Sequence, residues 1–189
     1  VLWIGRPLAS AFPSPFAPRE IEMERVSFGL AGTFDNGFDW NFDMTRSAED
    51  NYGRQPDTGT SKLAAAIDGR GGPSGNETFD LFDPTANSQT LRDWLRSDQE
   101  TWTNVVLSVV DFVMSGEVGG IDLAAGAQQR REKYDITRSP NSIVEFDAAG
   151  NLTKPADMIF LGGGTESSAS RTTNAVSYTH LRAHETPVN

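Results

Sequence analysis

The sequence predicts an all-β fold: a fragment of an antiparallel, up-and-down transmembrane β-barrel, with about five strands and long extracellular loops that contain short helices. The first observation is a strict alternation of apolar and polar side chains along Phe38, Asp39, Trp40, Asn41, Phe42, Asp43, Met44 and Thr45. Successive side chains of a strand point to opposite faces, so one face is apolar and the other polar. A helix would scatter the same residues around its circumference.

The second observation is the spacing of the connections between the predicted strands. Short connections at 34–37 and 116–120 alternate with long ones at 48–101 and 136–165. Tight turns on one side and extended loops on the other are typical of outer-membrane barrels, whose short turns are periplasmic. The predicted strands have roughly ten residues, which is the length required when tilted strands cross a bilayer.

The individual strands follow from period-two patterns and turn residues. Asp35-Asn36-Gly37 is a strong hairpin signal because Asn and Gly tolerate positive φ. The segment from Thr103 is apolar on both faces, so its register stays open. The predicted strands are 21–33, 38–47, 103–115, a segment that begins at Ile121 and ends near Tyr134, and a last strand from about Ser168 to Val176.

The first long loop contains two candidate helices. One covers Ser61–Ile67 and is stopped by Gly69; the other is capped by Asn87 or Ser88 and continues through Leu95. The remainder of 48–101, especially Gly69 through Gly75, is rich in turn residues and is predicted to be solvated.

Composition excludes several classes of protein. The 189 residues carry a net charge of −10 with a pI of about 4.6, which argues against nucleic acid as a partner and against a basic patch for anionic membranes. Without cysteine there is no disulfide framework and no thiolate metal site. The sequence begins at Val1 without a signal peptide, which leads us to expect a fragment of a longer protein.

The C-terminal residues resemble a sequencing artefact. Residues 177–186, SYTHLRAHET, resemble one translated frame of a common transposase sequencing adapter. We therefore expect 177–189 to be a non-native tail and 1–176 to be the native part. The two histidines of the chain, His180 and His184, fall in this tail, so their spacing does not indicate a zinc site.

Three other patterns are weak signals for a calcium, phosphate or lipid-headgroup site. Asp35, Asp39 and Asp43 lack the loop spacing of a calcium site and are expected to line a lumen. The run Gly162-Gly163-Gly164 has no following Lys to cradle phosphate and is expected to be a flexible loop. Arg130 and Arg131 face opposite ways on a strand; one could reach the lipid headgroups, although a solvated strand end is the simpler interpretation.

The two loop tryptophans leave two interpretations open. Trp94 and Trp102 could stack on a ligand, or they could pin a long loop to the barrel rim. No native His or Cys is present to act as a catalytic base, so we expect no enzyme activity. We expect no cofactor and no metal, and no residue is assigned to ligand binding.

Five segments, taken together, resemble the C-terminal barrel of TonB-dependent outer-membrane receptors, and the resemblance covers about residues 1–176. The segments are FDWNFDMT (38–45), LAAAIDGRGG (63–72), LFDPTANS (81–88), MSGEVGGIDLAAGAQQRREKY (114–134) and RTTNAV (171–176). The resemblance implies an outer-membrane protein of a Gram-negative bacterium, with a barrel of 22 strands around a plug. Of these strands the present chain supplies about five.

The resemblance also implies a function, the active import of a scarce nutrient. The implied partners are outer-membrane lipid, a small-molecule or oligomeric nutrient, and an inner-membrane energy-coupling complex that acts through a plug domain absent from this sequence. The alternative is a soluble secreted β-sandwich that binds a ligand, in which Phe38, Trp40 and Phe42 face a second sheet. A hydrolase with paired carboxylates is a third possibility, but the sequence singles out no such pair.

Overall fold

The structure is a computed structural model that describes residues 17–182. It is mostly antiparallel β, as predicted, with two short helices. The elements in chain order are β1 (Arg19–Thr33), β2 (Asp39–Gln55), α1 (Thr60–Ile67), α2 (Gln89–Leu95), β3 (Gln99–Val118), β4 (Ile121–Arg138), β5 (Glu145–Phe146), β6 (Leu152–Lys154) and β7 (Ser167–Arg182). Short 3₁₀ helices cover Pro84–Ala86 and Pro140–Ser142.

The main sheet contains five strands in the order β1-β2-β3-β4-β7 and is open. Strands β1 and β7 are its edges, so the predicted barrel is not closed within the described residues. Strand β7 continues past Val176 to Arg182, through part of the segment that resembles an adapter. Within 17–182 there is no helix of the length and apolarity needed to span a membrane.

The strands are longer than the alternation predicted. Strand β2 continues to Gln55, β3 begins at Gln99, and β4 extends to Arg138, so the predicted loop 48–101 is wrong at both ends and the predicted loop 136–165 is wrong at its start. The residues added to β2, from Ala48, are largely polar and give no period-two signal. Backbone pairing does not depend on alternation of the side chains. For example, the Arg54 amide near the end of β2 donates to the Pro18 carbonyl oxygen at 3.0 Å.

Two tight turns connect strands of the sheet. At the predicted Asp35-Asn36-Gly37 hairpin, the Phe34 amide donates to the Phe38 carbonyl at 2.8 Å, and Gly37 has a φ of 84°. The turn between β3 and β4 consists of Gly119 and Gly120 alone, with φ values of 60° and 78°. Positive φ at both positions is the type I′ requirement. The predicted connection 116–120 is therefore too long, because its first three residues belong to β3.

The chain divides into two compact units. Among the described residues, the sheet unit consists of 21–50, 103–135 and 168–182, and the loop unit consists of 17–20, 51–102 and 136–167. All buried hydrophobic residues described lie in the loop unit: Ala66, Phe79, Leu91, Leu95 and Met158. Among residues 17–182, the sheet unit has no buried hydrophobic side chain.

The loop unit is more ordered than the predicted solvated turns. Both predicted helices are confirmed, and the cap of α2 is Ser88, whose hydroxyl accepts from the Leu91 amide at 2.9 Å. Leu91 and Leu95 of α2 pack with Ala66 of α1 and with Phe79. The β5–β6 hairpin was not predicted from the sequence, since each of its strands has only two or three residues.

Contacts between neighbouring strands define the register of the sheet unit. In each pair, a step forward along one strand matches an equal step back along the next, which is the antiparallel pattern. The contacts are Thr33–Asp39 and Ser27–Thr45 for β1 and β2, Asp50–Asn104 and Phe38–Gly116 for β2 and β3, Asp111–Gln128 for β3 and β4, and Gln129–Asn174 and Glu132–Arg171 for β4 and β7. These registers assign each residue of the sheet unit to one face.

Candidate functional site

One face of the sheet unit, called here the apolar face, presents large apolar side chains from all five strands. The row that begins at Phe38, just before β2, and includes Trp40, Phe42 and Met44 lies on this face, opposite to Asp39, Asn41 and Asp43, as predicted. By the same register, the face includes Phe28, Leu30 and Phe34 beside β2 on one side, Val110, Phe112 and Met114 on the other, and then Leu123, Ala125, Ala127 and Val176. Tyr178 follows on this face, within the segment that resembles an adapter.

Aromatic rings on the apolar face lie directly over glycines of neighbouring strands. A Cβ atom at Gly32 would be 2.9 Å from the Trp40 ring, and one at Gly116 would be 2.7 Å from the Phe38 ring. The Phe34 and Trp40 rings are 5.9 Å apart. Glycine thus allows each ring to lie against the backbone of the next strand, which gives this face a continuous aromatic surface near the 34–38 turn.

No described residue covers the apolar face completely. Phe28 is 51% exposed, Leu30 50% and Met44 49%. Single exposed apolar residues are ordinary on a protein surface, whereas a contiguous patch over five strands indicates contact with another apolar phase or with a partner.

The apolar side chains of β2 and β4 form a band that ends at polar residues, one row earlier on β4 than on β2, whereas Val26 of β1 lies in the row of Arg46. On β2 the band covers Phe38 to Met44 and is followed by Arg46; on β4 it covers Leu123 to Ala127 and is followed by Gln129 and Arg131. Its four rows of residues span about 20 Å along the strands, since alternate residues are about 6.7 Å apart. An outer-membrane barrel presents an apolar band about 25 Å tall.

The opposite face, called here the polar face, has side-chain hydrogen bonds between strands, although β3 contributes only apolar neighbours to Asp111 there, namely Val105, Leu107, Val109 and Val113. The Thr33 hydroxyl donates to Asp39 at 2.7 Å, and the Gln128 amide donates to Asp111 at 2.7 Å. Asp43 lies against Gly29. The structure therefore does not bring together the three aspartates considered for calcium, and no group of three metal-ligating residues occurs within the described part of the chain.

Arg130 and Arg131 lie on opposite faces of β4, as predicted. Arg130 is on the polar face and forms an ion pair with Glu132 at 2.7 Å. Glu132 also pairs with Arg171 of β7. Arg131 is on the other face, beyond the edge of the apolar band, and its side chain has no ion pair within the described residues.

In the loop unit, the Asp57 carboxylate connects the two long loops. Asp57 is 7% exposed, and its carboxylate accepts from the Thr58 amide at 2.6 Å, the Phe160 amide at 3.1 Å and the Leu161 amide at 2.7 Å. Burying a carboxylate is unfavourable unless it is hydrogen-bonded, and here backbone donors satisfy it. This role was not predictable from the sequence, which indicates only that Asp57 lies in a turn-rich, solvated part of the first long loop.

A second carboxylate and an asparagine add to this connection. Asp157 accepts from both the amide of Ser61 at 2.7 Å and its hydroxyl at 2.5 Å. Asn141 donates its side-chain amide to the Asp98 carbonyl at 2.9 Å and to the Ser97 hydroxyl at 2.8 Å. The loops 56–98 and 139–166 are therefore joined by several hydrogen bonds between residues far apart in sequence.

Two glycines of the predicted flexible loop, Gly163 and Gly164, are closely packed, whereas Gly162 has open space at its Cβ position. A Cβ atom at Gly163 would be 2.5 Å from Val144 and 2.6 Å from Ala156, and one at Gly164 would be 2.7 Å from the Arg138 guanidinium. The Gly164 amide donates to the Ser142 carbonyl at 3.0 Å. The glycines allow two segments of backbone to approach each other, a property that sequence composition cannot distinguish from flexibility.

Substituting Gly163 by alanine should destabilise the loop unit by about 1–3 kcal/mol, because the new methyl group overlaps its neighbours. Gly162 is a matched control, since a Cβ there would have no atom within 4 Å. Urea titration of the two alanine variants measures the difference. Equal midpoints for both variants would contradict the close packing at Gly163.

The turn that joins β5 and β6 is held by the side chain of Asp147. The Asp147 carboxylate accepts from the Ala149 amide at 2.9 Å and from the Asn151 backbone and side-chain amides, also at 2.9 Å. The Asn151 side chain is the first cause that holds the pKa of Asp147 below its ordinary value, and the backbone donors add to it. Because the pKa of Asp147 is lower in the folded turn than in the unfolded chain, the ionised carboxylate stabilises the turn at pH values above the unfolded pKa.

We therefore expect the β5–β6 turn to lose stability as the pH falls below about 4 and approaches the pKa of folded Asp147. The exchange rate of the Asn151 amide, or its NMR shift, should change over that range. In Asp147→Asn the acid-dependent change should be absent. A wild-type titration that matches this variant would contradict the role of the carboxylate.

The two tryptophans considered for ligand stacking have different surroundings in the loop unit. Trp94 packs against the buried cluster around Leu91, and the Lys62 ammonium lies 5.9 Å from its ring centroid. Trp102 is 43% exposed and its ring centroid is 5.5 Å from that of Tyr52. Trp94 therefore has a packing role.

The most exposed aromatic side chain described is that of Phe82, which is 95% exposed. Nothing in the sequence identified Phe82 as a candidate for ligand binding.

These features define the class of the protein as a mostly antiparallel β protein with an ordered loop unit and an apolar band that residues 17–182 leave exposed. Comparisons with protein-family models, with curated proteins and with solved structures found no match to this chain.

Proposed function

We propose that this chain is part of the β-barrel of a TonB-dependent outer-membrane receptor that imports a nutrient. The observation that carries the proposal is the apolar face: an apolar band across five strands without a buried hydrophobic residue in the sheet unit, within 17–182. In the proposed barrel, hydrocarbon covers the band, and the polar face, including Asp39 and Asp43, lines the interior.

The loop unit fits an extracellular role in this proposal. Long extracellular loops are characteristic of outer-membrane barrels. Here the loops have their own core and the Asp57 connection, so they form a stable surface on which a ligand can be held. The exposed ring of Phe82 is the first loop residue to test for ligand contact.

The soluble β-sandwich remains the alternative function. It requires a second sheet over Phe38, Trp40 and Phe42. The second sheet among the described residues is the short hairpin of Glu145–Phe146 with Leu152–Lys154, which lies in the loop unit. An apolar face left without such a sheet favours the barrel.

The test compares the full 189-residue chain in plain buffer with the chain in lipid vesicles. The barrel proposal predicts aggregation in buffer, because both sheet edges and the apolar face are open, and β structure that floats with vesicles. A monomeric chain that unfolds cooperatively in buffer and ignores vesicles would refute the proposal and support the sandwich. Sequencing the genomic region upstream of Val1 tests the receptor assignment separately, since a plug domain is expected there.

A further inference from the structure

The polar border of the apolar face contains three cations in neighbouring positions. Arg46 on β2 follows the last apolar residue of its strand, and the register places Ser108 of β3 beside it and Arg131 of β4 next in the same row. Lys133 lies one row farther along β4 on the same face. We call these three cations the border cluster.

The border cluster has free charges. The side chains of Arg46, Arg131 and Lys133 are exposed, and they form no ion pair or side-chain hydrogen bond within residues 17–182. By contrast, Arg130 and Arg171 on the polar face both pair with Glu132. Arg25 on the polar face also has no ion pair within residues 17–182, so the border cluster is distinguished by the grouping of its three unpaired cations at the edge of the band.

The geometry of the cluster suits one phosphate group. Two strand spacings separate Arg46 from Arg131, about 10 Å between backbones, and long side chains can converge over that distance. Guanidinium groups bind phosphate through paired N–H donors. The hydroxyl of Ser108, between them, provides a further donor.

Carboxylates on the same face reduce the positive potential around the border cluster but do not neutralise its charge. Glu22 and Glu24 lie on β1, on the far side of β2 from Arg131 and Lys133. Asp50 and Asp135 lie in the row beyond Lys133, and Asp50 already accepts a hydrogen bond from Asn104 at 2.7 Å. Glu24 is diagonal to Arg46 on the adjacent strand, about 7–8 Å away, and forms no ion pair with it. From Arg131 and Lys133 on β4, β1 is about 14 Å away, which exceeds the screening length at physiological salt.

We propose that the border cluster binds the phosphate of an anionic lipid headgroup at the membrane surface. This proposal rests on the proposed barrel, which places the edge of the apolar band at the boundary between hydrocarbon and headgroups. It also revises the expectation from the net charge of −10, which argued against a basic patch for an anionic membrane. Net charge does not report the arrangement of charges on one face.

The experiment measures flotation of the full chain with three kinds of vesicle. These are phosphatidylcholine alone, phosphatidylcholine with phosphatidylglycerol, and phosphatidylcholine with an equal fraction of oleate, an anionic lipid without phosphate. Wild type should prefer the phosphatidylglycerol vesicles over both others. The double variant R46Q/R131Q should lose about 25-fold in affinity for them, since each cation near an anionic surface contributes a factor of about five.

The matched control is R25Q/R130Q, which removes the same charge from the polar face and should retain the preference. Equal losses in the two double variants, an equal preference for oleate, or displacement of the chain by inorganic phosphate at constant ionic strength would each overturn the lipid assignment. If wild type fails to float with phosphatidylcholine alone, the barrel proposal itself fails. Failure of the lipid-headgroup proposal and failure of the barrel proposal therefore give different flotation results.

Discussion

Replacing Trp40 by arginine should reduce the stability of the bilayer-inserted chain by about 2–4 kcal/mol, the cost of a cation near the middle of a lipid-facing strand. Trp40 and Phe42 occupy the two central rows of the apolar band. Arginine there cannot reach the headgroups without leaving the band, and the ring that covers Gly32 is lost as well. The measurement is urea titration of the chain in vesicles.

Asn41→Arg provides the control for this substitution, because Asn41 is the next residue and lies on the polar face. It introduces the same side chain one position along β2 and should cost less than about 1 kcal/mol. A neutral Trp40→Arg variant, or equal costs at the two positions, would argue against lipid contact. A large cost measured in lipid-free buffer would instead indicate a protein core over Trp40.

Replacing Asp57 by alanine should destabilise the loop unit by about 3 kcal/mol or more, the second large effect we expect. Three backbone amides, those of Thr58, Phe160 and Leu161, would lose their acceptor. An unsatisfied buried donor costs roughly 1–3 kcal/mol. Hydrogen exchange at Phe160 and Leu161 should accelerate by about 100-fold or more, since local opening becomes easier by that free energy.

Asp83→Ala is the control for the loop unit. The Asp83 carboxylate is exposed and accepts from Thr85 within its own turn. We expect its loss to change exchange near Thr85 and to leave Phe160 and Leu161 unaffected. Unchanged exchange at Phe160 in Asp57→Ala would show that other contacts, such as Asp157 with Ser61, are sufficient to join the loops.

The sequence predicted the parts of the fold that depend on local pattern. The alternation from Phe38 to Thr45, the Asp35-Asn36-Gly37 turn and the cap of α2, predicted at Asn87 or Ser88 and found at Ser88, are each encoded within a few residues. The strand ends were not predictable in this way. The residues from Ala48 to Gln55 join β2 through pairing with other strands, which leaves no periodic trace.

The candidate site was predictable only in part, for the same reason. The apolar row on β2 was evident, but the register that aligns it with Phe112 and Leu123 depends on partners in other strands. The Asp57 connection joins residues about one hundred positions apart. Gly163 looked flexible because composition reports the freedom of the unfolded backbone and not the contacts that glycine permits.

The order of the five strands has a geometric consequence for any closed assembly. Because neighbouring strands alternate in direction, the two edge strands, β1 and β7, run in the same direction. Pairing β1 directly with β7 would therefore create a parallel strand pair. The same holds if β1 of one copy paired with β7 of a second copy in the same orientation. A barrel with antiparallel neighbours throughout needs an even total. Whatever completes the circle around this sheet must therefore contribute an odd number of strands.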